Sequence, residues 1–325
     1  MTPSVPNPAL LSEQSCSLGR ASMRPAFSPA ANPRSVVDCI SVDVEDYFQV
    51  EAFAAMIPRS RWPLYPSRVR QNTERTLALL QQYSCKGTFF VLGWVAEREP
   101  SLIRAIAGQG HELGCHSHLH RPLHTITPAE FRSDLRRSRQ AIEDASGVRV
   151  VGFRAPTFSI TDRTMWGLEV LAEEGFEYDS SIFPIRHDLY GVPDAPRWPH
   201  ERRLPSGLKL WEIPPATVRV GPVNLPFGGG GYLRLLPMFF TKWAINTTHQ
   251  RDQKPVILYF HPWELDPDQP RLSGSRRSRF RHYTGLTKTV TRLKEILAHG
   301  SFQPLIEVVR SMQCIAQRTQ IATAS

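Results

Sequence analysis

The sequence has few of the features that mark a disulfide-rich, zinc-finger or membrane-spanning protein. Its five cysteines are an odd number, with no CxxC pair and no metal-finger spacing. Three of them lie within or beside apolar runs, where a free cysteine is most often a small buried side chain. No stretch approaches the roughly 20 apolar residues that span a membrane, and residues 1–35 lack the apolar segment of a signal peptide. We therefore expect a cytoplasmic or membrane-peripheral protein.

The charge is strongly positive, with 39 lysines and arginines against 30 acidic residues and a net charge of +9. Such a surface attracts acidic partners, which include nucleic acids, anionic glycans and membrane surfaces. Much of the charge lies in residues 271–281 (RLSGSRRSRFR) and in residues 132–139. A run of this kind is usually a solvated surface. Because no nucleic-acid-binding motif accompanies it, we expect no nucleic-acid partner.

The apolar pattern predicts strands and helices in alternation, which is typical of a parallel sheet built through right-handed crossovers in an α/β fold. The clearest helix start is the capping box Thr127-Pro128-Ala129-Glu130, with proline at the first helical position. The predicted strands are 36–44, 87–92, 112–115, 148–153, 176–180, 208–220 (interrupted by two prolines) and 255–260. The predicted helices are 67–83, 102–108, 127–145, 161–174, 233–249, 286–298 and 302–312.

At 325 residues the chain is long for a single domain unless that domain is a barrel. We expect a catalytic domain over residues 36–265, with a C-terminal basic loop and helices over 266–315 packed on it. Residues 1–35 are predicted to be a disordered tail, and residues 316–325 a frayed one. The run GGGG at 228–231 suits a tight turn or a surface that approaches a ligand closely.

Four polar clusters stand at the ends of predicted strands. Taken alone, each has an ordinary structural explanation, such as a solvated turn, a helix cap or a buried histidine. Their joint occurrence, in order, favours a hydrolytic metal site. Such a site needs about three protein ligands, a carboxylate base and an imidazolium acid. The clusters are Asp43 with Glu45 and Asp46, then His116-Ser-His118-Leu-His120, then Arg154-Ala-Pro156, and last His261-Pro-Trp263.

The motifs SVDVED, HSHLH, RAP and LYFHP resemble, in sequence and order, the signature of the NodB-homology polysaccharide deacetylases. SVDVEDYFQV, RAPTFSI, YDSSIFP, GGGGYLR and FRHYTGLTK further resemble the subgroup found in exopolysaccharide loci with exosortase (PEP-CTERM) sorting systems. This resemblance implies a distorted (β/α) barrel with a C-terminal helical extension. It also implies a metal-dependent hydrolase, with zinc as the expected metal, that removes N-acetyl groups from a bacterial exopolysaccharide. The expected partners are an acetylated polysaccharide and exopolysaccharide-assembly machinery at the membrane.

The resemblance assigns roles to five of the clustered residues. Asp43 matches the general base, and Arg154 matches the arginine that would hold this base ionised and aimed. His116 and His120 match two metal ligands. His261 matches the general acid that would protonate the departing group.

The carboxylate ligand of the metal is left open between two residues. Many relatives have two adjacent aspartates, whereas this chain has Asp43, Glu45 and Asp46. Side chains alternate along a strand, so Glu45 shares the face of Asp43, but the strand can already be bending there. We favour Asp46, because its short side chain suits an ordered metal site, and keep Glu45 as the rival. His118, which lies between the two histidine ligands, is expected to point away from the metal.

Five further residues complete the predicted site. Asp179 is expected to orient the general acid or to hold a substrate hydroxyl. A backbone donor for the oxyanion is expected near Thr157. Phe158, Tyr232 and Trp263 are candidates for stacking against sugar rings, although each is equally suited to core packing.

Three other functions fit the same residues. The protein would be an O-deacetylase, or a hydrolase of C–N bonds in a small amide, if the same site worked on another substrate. A non-catalytic glycan-binding or assembly protein is the alternative outside enzymology. The full set of base, ligands and acid argues against it, because a binding module needs no such set.

Overall fold

The computed structural model describes residues 37–324, with side chains up to residue 316. The predicted disordered tail at 1–35 lies outside the described residues. The described chain is mixed α/β, and most of its strands belong to one curled sheet that forms a half-barrel. Its strands are β1 (Asp38–Val44), β2 (Thr88–Val91), β3 (Glu112–Cys115), β4 (Gly152–Phe153), β5 (Tyr178–Asp179), β6 (His200–Arg203), β7 (Lys209–Glu212), β8 (Thr217–Val220), β9 (Val223–Pro226), β10 (Ile257–Phe260) and β11 (Phe302–Gln303).

The helices follow the strands along the chain, and several short 3-10 turns lie between them. One of these turns, Pro262–Leu265, directly follows β10. The α-helices are α1 (Val69–Gln82), α2 (Gly93–Arg98), α3 (Pro100–Gly108), α4 (Pro128–Ser146), α5 (Trp166–Glu173), α6 (Gly230–Leu235), α7 (Met238–Thr247), α8 (Arg276–Tyr283), α9 (Leu286–Leu297) and α10 (Leu305–Ala324).

The sheet has the strand order β10-β1-β2-β3-β4-β5-β7-β6, with β11 paired to β1. All of these pairings are parallel except that of β6 with β7. Val42 lies opposite both Phe260 and Phe89, and β1, β2 and β10 end within two residues of one another. The carboxyl ends of these strands therefore meet at one edge, where α/β folds assemble their sites. The predicted fold class is confirmed.

Buried apolar strands explain why the sheet forms. Every residue of β1 is buried, and β2 and β10 are buried throughout. A parallel strand covered on both faces reads as a nearly continuous apolar run, which matches these segments. Polar side chains on β1 therefore need partners within the fold. One example is Ser41, whose hydroxyl donates to the carbonyl of Leu258 at 3.0 Å.

Helix α4 begins and ends as its sequence predicts. The Thr127 hydroxyl accepts a hydrogen bond from the N–H of Glu130 at 3.3 Å, and the Glu130 carboxylate accepts one from the N–H of Thr127 at 2.8 Å. Pro128 occupies the first helical position. The helix ends at Gly147, whose φ of 73° lies in the left-handed region that glycine enters without strain. The predicted capping box is confirmed.

The segment predicted as one helix over 233–249 is two helices, α6 and α7. The break falls at Pro237, which has no N–H to donate and disfavours helical geometry in the residue before it. Leu236 is accordingly extended, with ψ of 145°. The strands predicted over 148–153 and 176–180 are each reduced to two residues, β4 and β5.

The predicted basic loop contains a helix that the sequence did not reveal. Helix α8 is capped by Ser275, whose hydroxyl accepts a hydrogen bond from the N–H of Ser278 at 3.0 Å. Four of its eight residues are arginines, so no apolar stripe signals a helix. At the end of the chain, α10 continues to Ala324 through the segment predicted to fray. Among the residues that the structure describes, no helix is both long and apolar enough to cross a bilayer.

The glycine run at 228–231 packs against strand β10. The carbonyl of Gly228 accepts a hydrogen bond from the N–H of Tyr259 at 2.7 Å. A Cβ atom on Gly229 would lie 1.7 Å from the carbonyl oxygen of Tyr259. The close approach is made to the backbone of the strand that precedes His261, whereas the predicted approach was to a ligand.

Candidate functional site

Three ligand-type side chains meet at the carboxyl edge of the sheet. Glu45 follows β1, and His116 and His120 lie in the loop that follows β3. One ligand atom from each of the three lies within 4.8 Å of the others, and all three side chains are buried. Glu45 Oε2 lies 2.9 Å from His120 Nε2. Two imidazoles and one carboxylate form a donor set that suits a divalent cation with an open coordination position.

The loop between the two histidines is held in an unusual shape. Ser117 and His120 have φ values of 63° and 51°, in the left-handed region that costs energy for residues other than glycine. The Ser117 hydroxyl accepts a hydrogen bond from the N–H of His120 at 3.0 Å, and the Asp134 carboxylate accepts one from the N–H of His118 at 2.7 Å. These bonds direct the side chains of His116 and His120 to the same side. The His118 ring instead lies next to Gly93, and its Nε2 is 3.8 Å from Glu97.

His116 is prepared to act as a ligand through Nε2. Its Nδ1 lies 2.7 Å from the backbone carbonyl of Arg154, so Nδ1 carries the proton and the Nε2 lone pair remains available. Burial lowers the pKa of His116 to about 4, because the charged imidazolium is poorly solvated there. At neutral pH the ring is therefore neutral, as a metal ligand must be.

Glu45 is a buried carboxylate surrounded by histidines. Burial alone would raise its pKa, but the charge and hydrogen bond of His120, followed by His261 and His116, lower the pKa to about 2. Its Oε1 accepts a hydrogen bond from Trp263 Nε1 at 3.2 Å, while its Oε2 faces His120 Nε2 at 2.9 Å. An ionised, buried oxygen that faces two imidazoles is the observation that fits a bound cation.

Asp46, the ligand favoured on sequence grounds, points elsewhere. Its Oδ2 accepts hydrogen bonds from the N–H groups of Arg68 and Val69 at 2.8 and 3.1 Å, and from the Ser67 hydroxyl at 2.7 Å. The carboxylate therefore caps the N-terminus of α1, where its negative charge is stabilised by the helix dipole. The structure brings Glu45, rather than Asp46, to the histidines, because the chain turns away directly after Glu45.

Asp43 and Arg154 form a buried ion pair beside the ligand cluster. Arg154 Nη1 donates to Asp43 Oδ1 at 2.8 Å, and the other donors of the guanidinium bond the hydroxyl and the carbonyl of Ser180. The guanidinium carbon also lies 4.4 Å from the centre of the Phe90 ring. These contacts leave Arg154 one orientation, and so they hold the Asp43 carboxylate at the end of β1.

His261 reaches the same place from the end of β10. Its Nε2 lies 3.8 Å from Asp43 Oδ2 and 3.5 Å from Glu45 Oε1, and 18% of its side chain is exposed. Its Nδ1 lies 2.6 Å from Glu264 Oε1, and the other oxygen of Glu264 accepts a hydrogen bond from Arg234 Nε at 2.6 Å. Burial alone would lower the pKa of His261. The hydrogen bond to Glu264 and the nearby carboxylates outweigh burial and raise this pKa to about 9. His261 is therefore protonated at neutral pH.

Among the described residues, Asp179 bonds Ser181 rather than His261. Its carboxylate accepts hydrogen bonds from the hydroxyl and the N–H of Ser181 at 2.5 and 3.1 Å, and it lies beside the buried Glu212 of the neighbouring strand. Burial raises the pKa of both acids, that of Asp179 to about 6. Of the two roles expected of Asp179, the one beside His261 falls to Glu264, and that of holding a substrate hydroxyl stays a prediction.

The aromatic candidates lie mainly in packed clusters. Phe158 is 6% exposed and contacts the rings of Phe183, Tyr190 and Tyr259, with centroids 4.9 to 5.7 Å away. Half-buried Tyr232 packs on the same cluster, and its hydroxyl lies 3.5 Å from that of Tyr190. These positions favour core packing over sugar stacking.

Trp263 is also buried, and its partners are histidines. Its ring stacks on His261 at 5.1 Å and on His282 at 4.1 Å, so it supports the candidate acid. Thr157 and Phe158 are consecutive residues with φ of 57° and 50°. The N–H groups of Phe158 and Ser159 donate the hydrogen bonds of this turn. Among the described residues, the N–H of Thr157 donates none of them.

Two residues of the site were missed by sequence reasoning, Glu264 and Arg234. Glu264 follows His261 by three residues and closes a capping-box arrangement with it. This i, i+3 spacing was readable in HPWE and could have revealed the pair. Arg234 lies 30 residues before Glu264 in the chain, and no local signal connects the two.

Comparison with known families agrees with this geometry. A model described as polysaccharide deacetylase matches residues 63–178, which include His116, His120 and Arg154. A model described as a domain of unknown function (DUF3473) matches residues 180–310, which include His261 and Glu264. The candidate site thus draws on both matched segments and on the strand that precedes them.

Three curated relatives are named as deacetylases or deacetylase-like proteins. A peptidoglycan-N-acetylglucosamine deacetylase of Bacillus cereus is 30% identical over 98 residues, which cover 30% of this chain and 36% of the relative. A peptidoglycan deacetylase-like protein of Gibberella zeae is 30% identical over 159 residues, 45% of this chain and 46% of the relative. A chitooligosaccharide deacetylase of Bradyrhizobium is 34% identical over 73 residues, 22% of this chain and 33% of the relative. The chain spans less than half the length of these relatives.

Two solved structures share the fold. One is a Mycobacterium smegmatis protein assigned to the polysaccharide deacetylases, with a TM-score of 0.58, 24% identity, and coverage of 89% of this chain and 94% of that one. The other is the Puue allantoinase, with a TM-score of 0.55, 14% identity, and coverage of 84% and 89%. Over residues 63–178, this chain is therefore similar to the polysaccharide deacetylases.

Proposed function

We propose that this protein is a metal-dependent polysaccharide deacetylase that removes N-acetyl groups from a bacterial exopolysaccharide. The observation that carries the proposal is the position of two charged pairs, Asp43 with Arg154 and His261 with Glu264. Both pairs flank the buried cluster of Glu45, His116 and His120. A hydrolase needs a base and an acid on either side of an electrophilic centre, and a purely binding site does not.

Glu45, His116 and His120 would hold the cation, and zinc is the metal that two imidazoles and one carboxylate suit best. When bound, such a cation would polarise the acetyl carbonyl and lower the pKa of a water molecule beside it. The chain contributes a neutral His116, an ionised Glu45 and a fixed loop geometry to this binding.

Asp43 is the base that takes the proton of the attacking water. Arg154 keeps the carboxylate aimed and limits its rotation, because the ion pair is buried and backed by Ser180. His261 is the acid. It approaches as an imidazolium and gives its Nε2 proton to the sugar nitrogen as the C–N bond breaks and acetate forms. Glu264 holds Nδ1 of that ring, so the imidazole edge that carries the transferable proton faces Asp43.

A protonated His261 favours an amide substrate over an ester. The sugar amine is a poor leaving group unless it receives a proton, whereas the sugar alcohol of an ester leaves more readily. We therefore favour N-deacetylation over O-deacetylation as the activity. We further propose a cytoplasmic or membrane-peripheral location for this protein. An exopolysaccharide substrate and contact with assembly machinery of the exosortase-associated subgroup are parts of the same proposal. They are supported by the motifs YDSSIFP and FRHYTGLTK.

The test is acetate release from defined oligosaccharides. The purified protein is incubated with an N-acetylglucosamine hexamer and with an O-acetylated xylose oligomer, each with and without chelator and with zinc restored. The expected result is acetate and a free amine from the first substrate, loss with chelator and recovery with zinc. Acetate from the ester alone would replace the proposal with O-deacetylation. Chelator-resistant release would refute metal dependence.

A further inference from the structure

A second concave site lies on helix α8, outside the cluster already described. It is a depression of about 400 Å³. Three arginines line it together with two aromatic rings, and none of these residues belongs to the proposed catalytic set. We call it the basic depression, and its lining residues are Arg271, Arg276, Arg279, Phe280 and Tyr283.

Part of the positive charge in this region has no partner. Arg277 and Arg281, on the same helix, both bond the Asp188 carboxylate, with shortest distances of 2.5 and 3.1 Å. Arg276 and Arg279, by contrast, have no carboxylate partner among the residues that the structure describes. Unpaired guanidinium groups in a concave surface attract an anion, and their planar donors suit a carboxylate or a phosphate group.

The aromatic rings give the depression a second recognition element. Phe280 is 59% exposed, although a phenylalanine on a helix would normally turn towards the core. The Tyr283 ring carries the Arg271 guanidinium above it, with the guanidinium carbon 4.4 Å from the ring centre. A flat apolar ring next to positive charge suits a sugar that carries an acidic group, since sugars present apolar C–H faces to aromatic rings.

The basic depression is connected to the candidate acid by a series of ring contacts. Tyr283 contacts His282 with centroids 4.6 Å apart, His282 stacks on Trp263 at 4.1 Å, and Trp263 stacks on His261 at 5.1 Å. Arg234, which bonds Glu264, also donates to three backbone carbonyls at the end of α8 and just beyond it. The depression and the acid are therefore fixed relative to each other.

We propose that the basic depression is a subsite for an acidic sugar unit, so that the substrate is an anionic polysaccharide. The acetylated unit of this polymer lies at His261 while a neighbouring carboxylate binds Arg276 and Arg279. This inference rests on the proposed deacetylase function for the identity of the polymer. A glycan fits better than a membrane surface because the site is concave and directly coupled to the acid.

The test compares two hexamers on the zinc-loaded full chain. One is the neutral N-acetylglucosamine hexamer, and the other alternates N-acetylglucosamine with glucuronate. We expect kcat/KM for acetate release to be about tenfold higher for the acidic hexamer, mainly through KM, and this advantage to decline with added salt. The double variant Arg276→Gln with Arg279→Gln should lose the advantage and keep wild-type activity on the neutral hexamer.

A matched control removes the same charge elsewhere. Arg104→Gln with Arg203→Gln changes two exposed arginines that likewise have no carboxylate partner among the described residues. Arg203 lies on β6, at the far edge of the sheet, where it is opposite Lys209 of β7 in the strand register. This control should retain the acidic preference. An equal loss in both double variants would overturn the subsite, because it would show a general effect of net charge. Equal kcat/KM for the two hexamers in the wild type would also overturn it.

Calorimetric binding of the acidic hexamer separates this inference from the catalytic one. Binding that depends on Arg276 and Arg279, without acetate release from either hexamer, would refute the deacetylase function and retain the subsite. Acetate release from the neutral hexamer, without binding of the acidic hexamer, would refute the subsite and retain the deacetylase function. If phosphatidylglycerol vesicles bind through these arginines while the acidic hexamer does not, the depression is a lipid site and the proposal is wrong.

Discussion

Nδ1 of His261 lies 2.6 Å from a carboxylate oxygen of Glu264, three residues further along the chain. The second oxygen of Glu264 is bonded to Arg234, so the carboxylate is fixed from both sides. The geometry thus sets which edge of the imidazole faces Asp43. It also explains why His261 can remain protonated in a largely buried position.

Glu264→Gln should therefore impair turnover more than substrate binding. The glutamine cannot stabilise the imidazolium by charge, so we expect kcat to fall about 100-fold with KM and zinc stoichiometry nearly unchanged. Steady-state kinetics on the N-acetylglucosamine hexamer provide the measurement, at a temperature where circular dichroism shows the variant folded. The matched control is Asp268→Asn, an exposed acid four residues along, which should behave as wild type. Unchanged kcat in Glu264→Gln would remove this residue from the proposed mechanism.

A zinc titration should distinguish the two candidate carboxylate ligands, Glu45 and Asp46. Glu45→Gln is expected to lower zinc affinity at least 100-fold, because it removes the anionic ligand from between two imidazoles. Asp46→Ala should bind zinc as wild type does and lose about 1–2 kcal/mol of unfolding free energy, because it removes the cap of α1. Calorimetry and urea denaturation check the two effects. The reverse pattern would restore Asp46 as the ligand.

The glycine run offers a matched pair of substitutions. Gly229→Ala places a Cβ atom 1.7 Å from the carbonyl oxygen of Tyr259, so strand β10 or the loop must shift, at an expected cost of about 1–3 kcal/mol. Gly231→Ala meets nothing closer than 4.0 Å and should be nearly neutral. Thermal unfolding of the two variants measures the difference. If both behave alike, the close approach of this loop to β10 does not contribute to stability.

Glu112 should make stability depend on pH. Burial raises its pKa to about 7, whereas an unfolded glutamate titrates near 4.5. The folded state therefore binds more protons between these values, so its contribution to stability is present at low pH and declines as pH rises through 7. Relative to Glu112→Gln, the wild type should lose about 2–3 kcal/mol of unfolding free energy between pH 4.5 and 8. Urea denaturation across this range gives the difference, and a pH-independent difference would contradict the prediction.

The order of elements was readable from the sequence because local patterns determined it. Val36 to Val44 is a β-branched run, and Thr127 with Glu130 defines a helix start without reference to the rest of the chain. Helix α8 has a local cap at Ser275 but no apolar stripe, because four of its eight residues are arginines. A reading based on apolar periodicity therefore misses this helix.

The choice of carboxylate ligand likewise could not be made from local sequence. Glu45 and Asp46 are neighbours, and the choice between them depends on where the chain turns after β1 and on the distant helix α1, whose N–H groups bond Asp46. The partner of His261 was missed for a related reason. Asp179 was chosen from a motif, whereas Glu264 is recognised by spacing and by a bond to Arg234 that exists only in the folded chain.

The separation of base from metal ligands is tested most directly by Asp43→Asn. Zinc content and acetate release are measured on the same preparation, with the N-acetylglucosamine hexamer as substrate. We expect one equivalent of zinc to remain bound while turnover falls at least 1,000-fold, because asparagine cannot accept the proton of the attacking water. Loss of zinc together with activity would place Asp43 among the ligands. Full activity with zinc bound would contradict its role as the base.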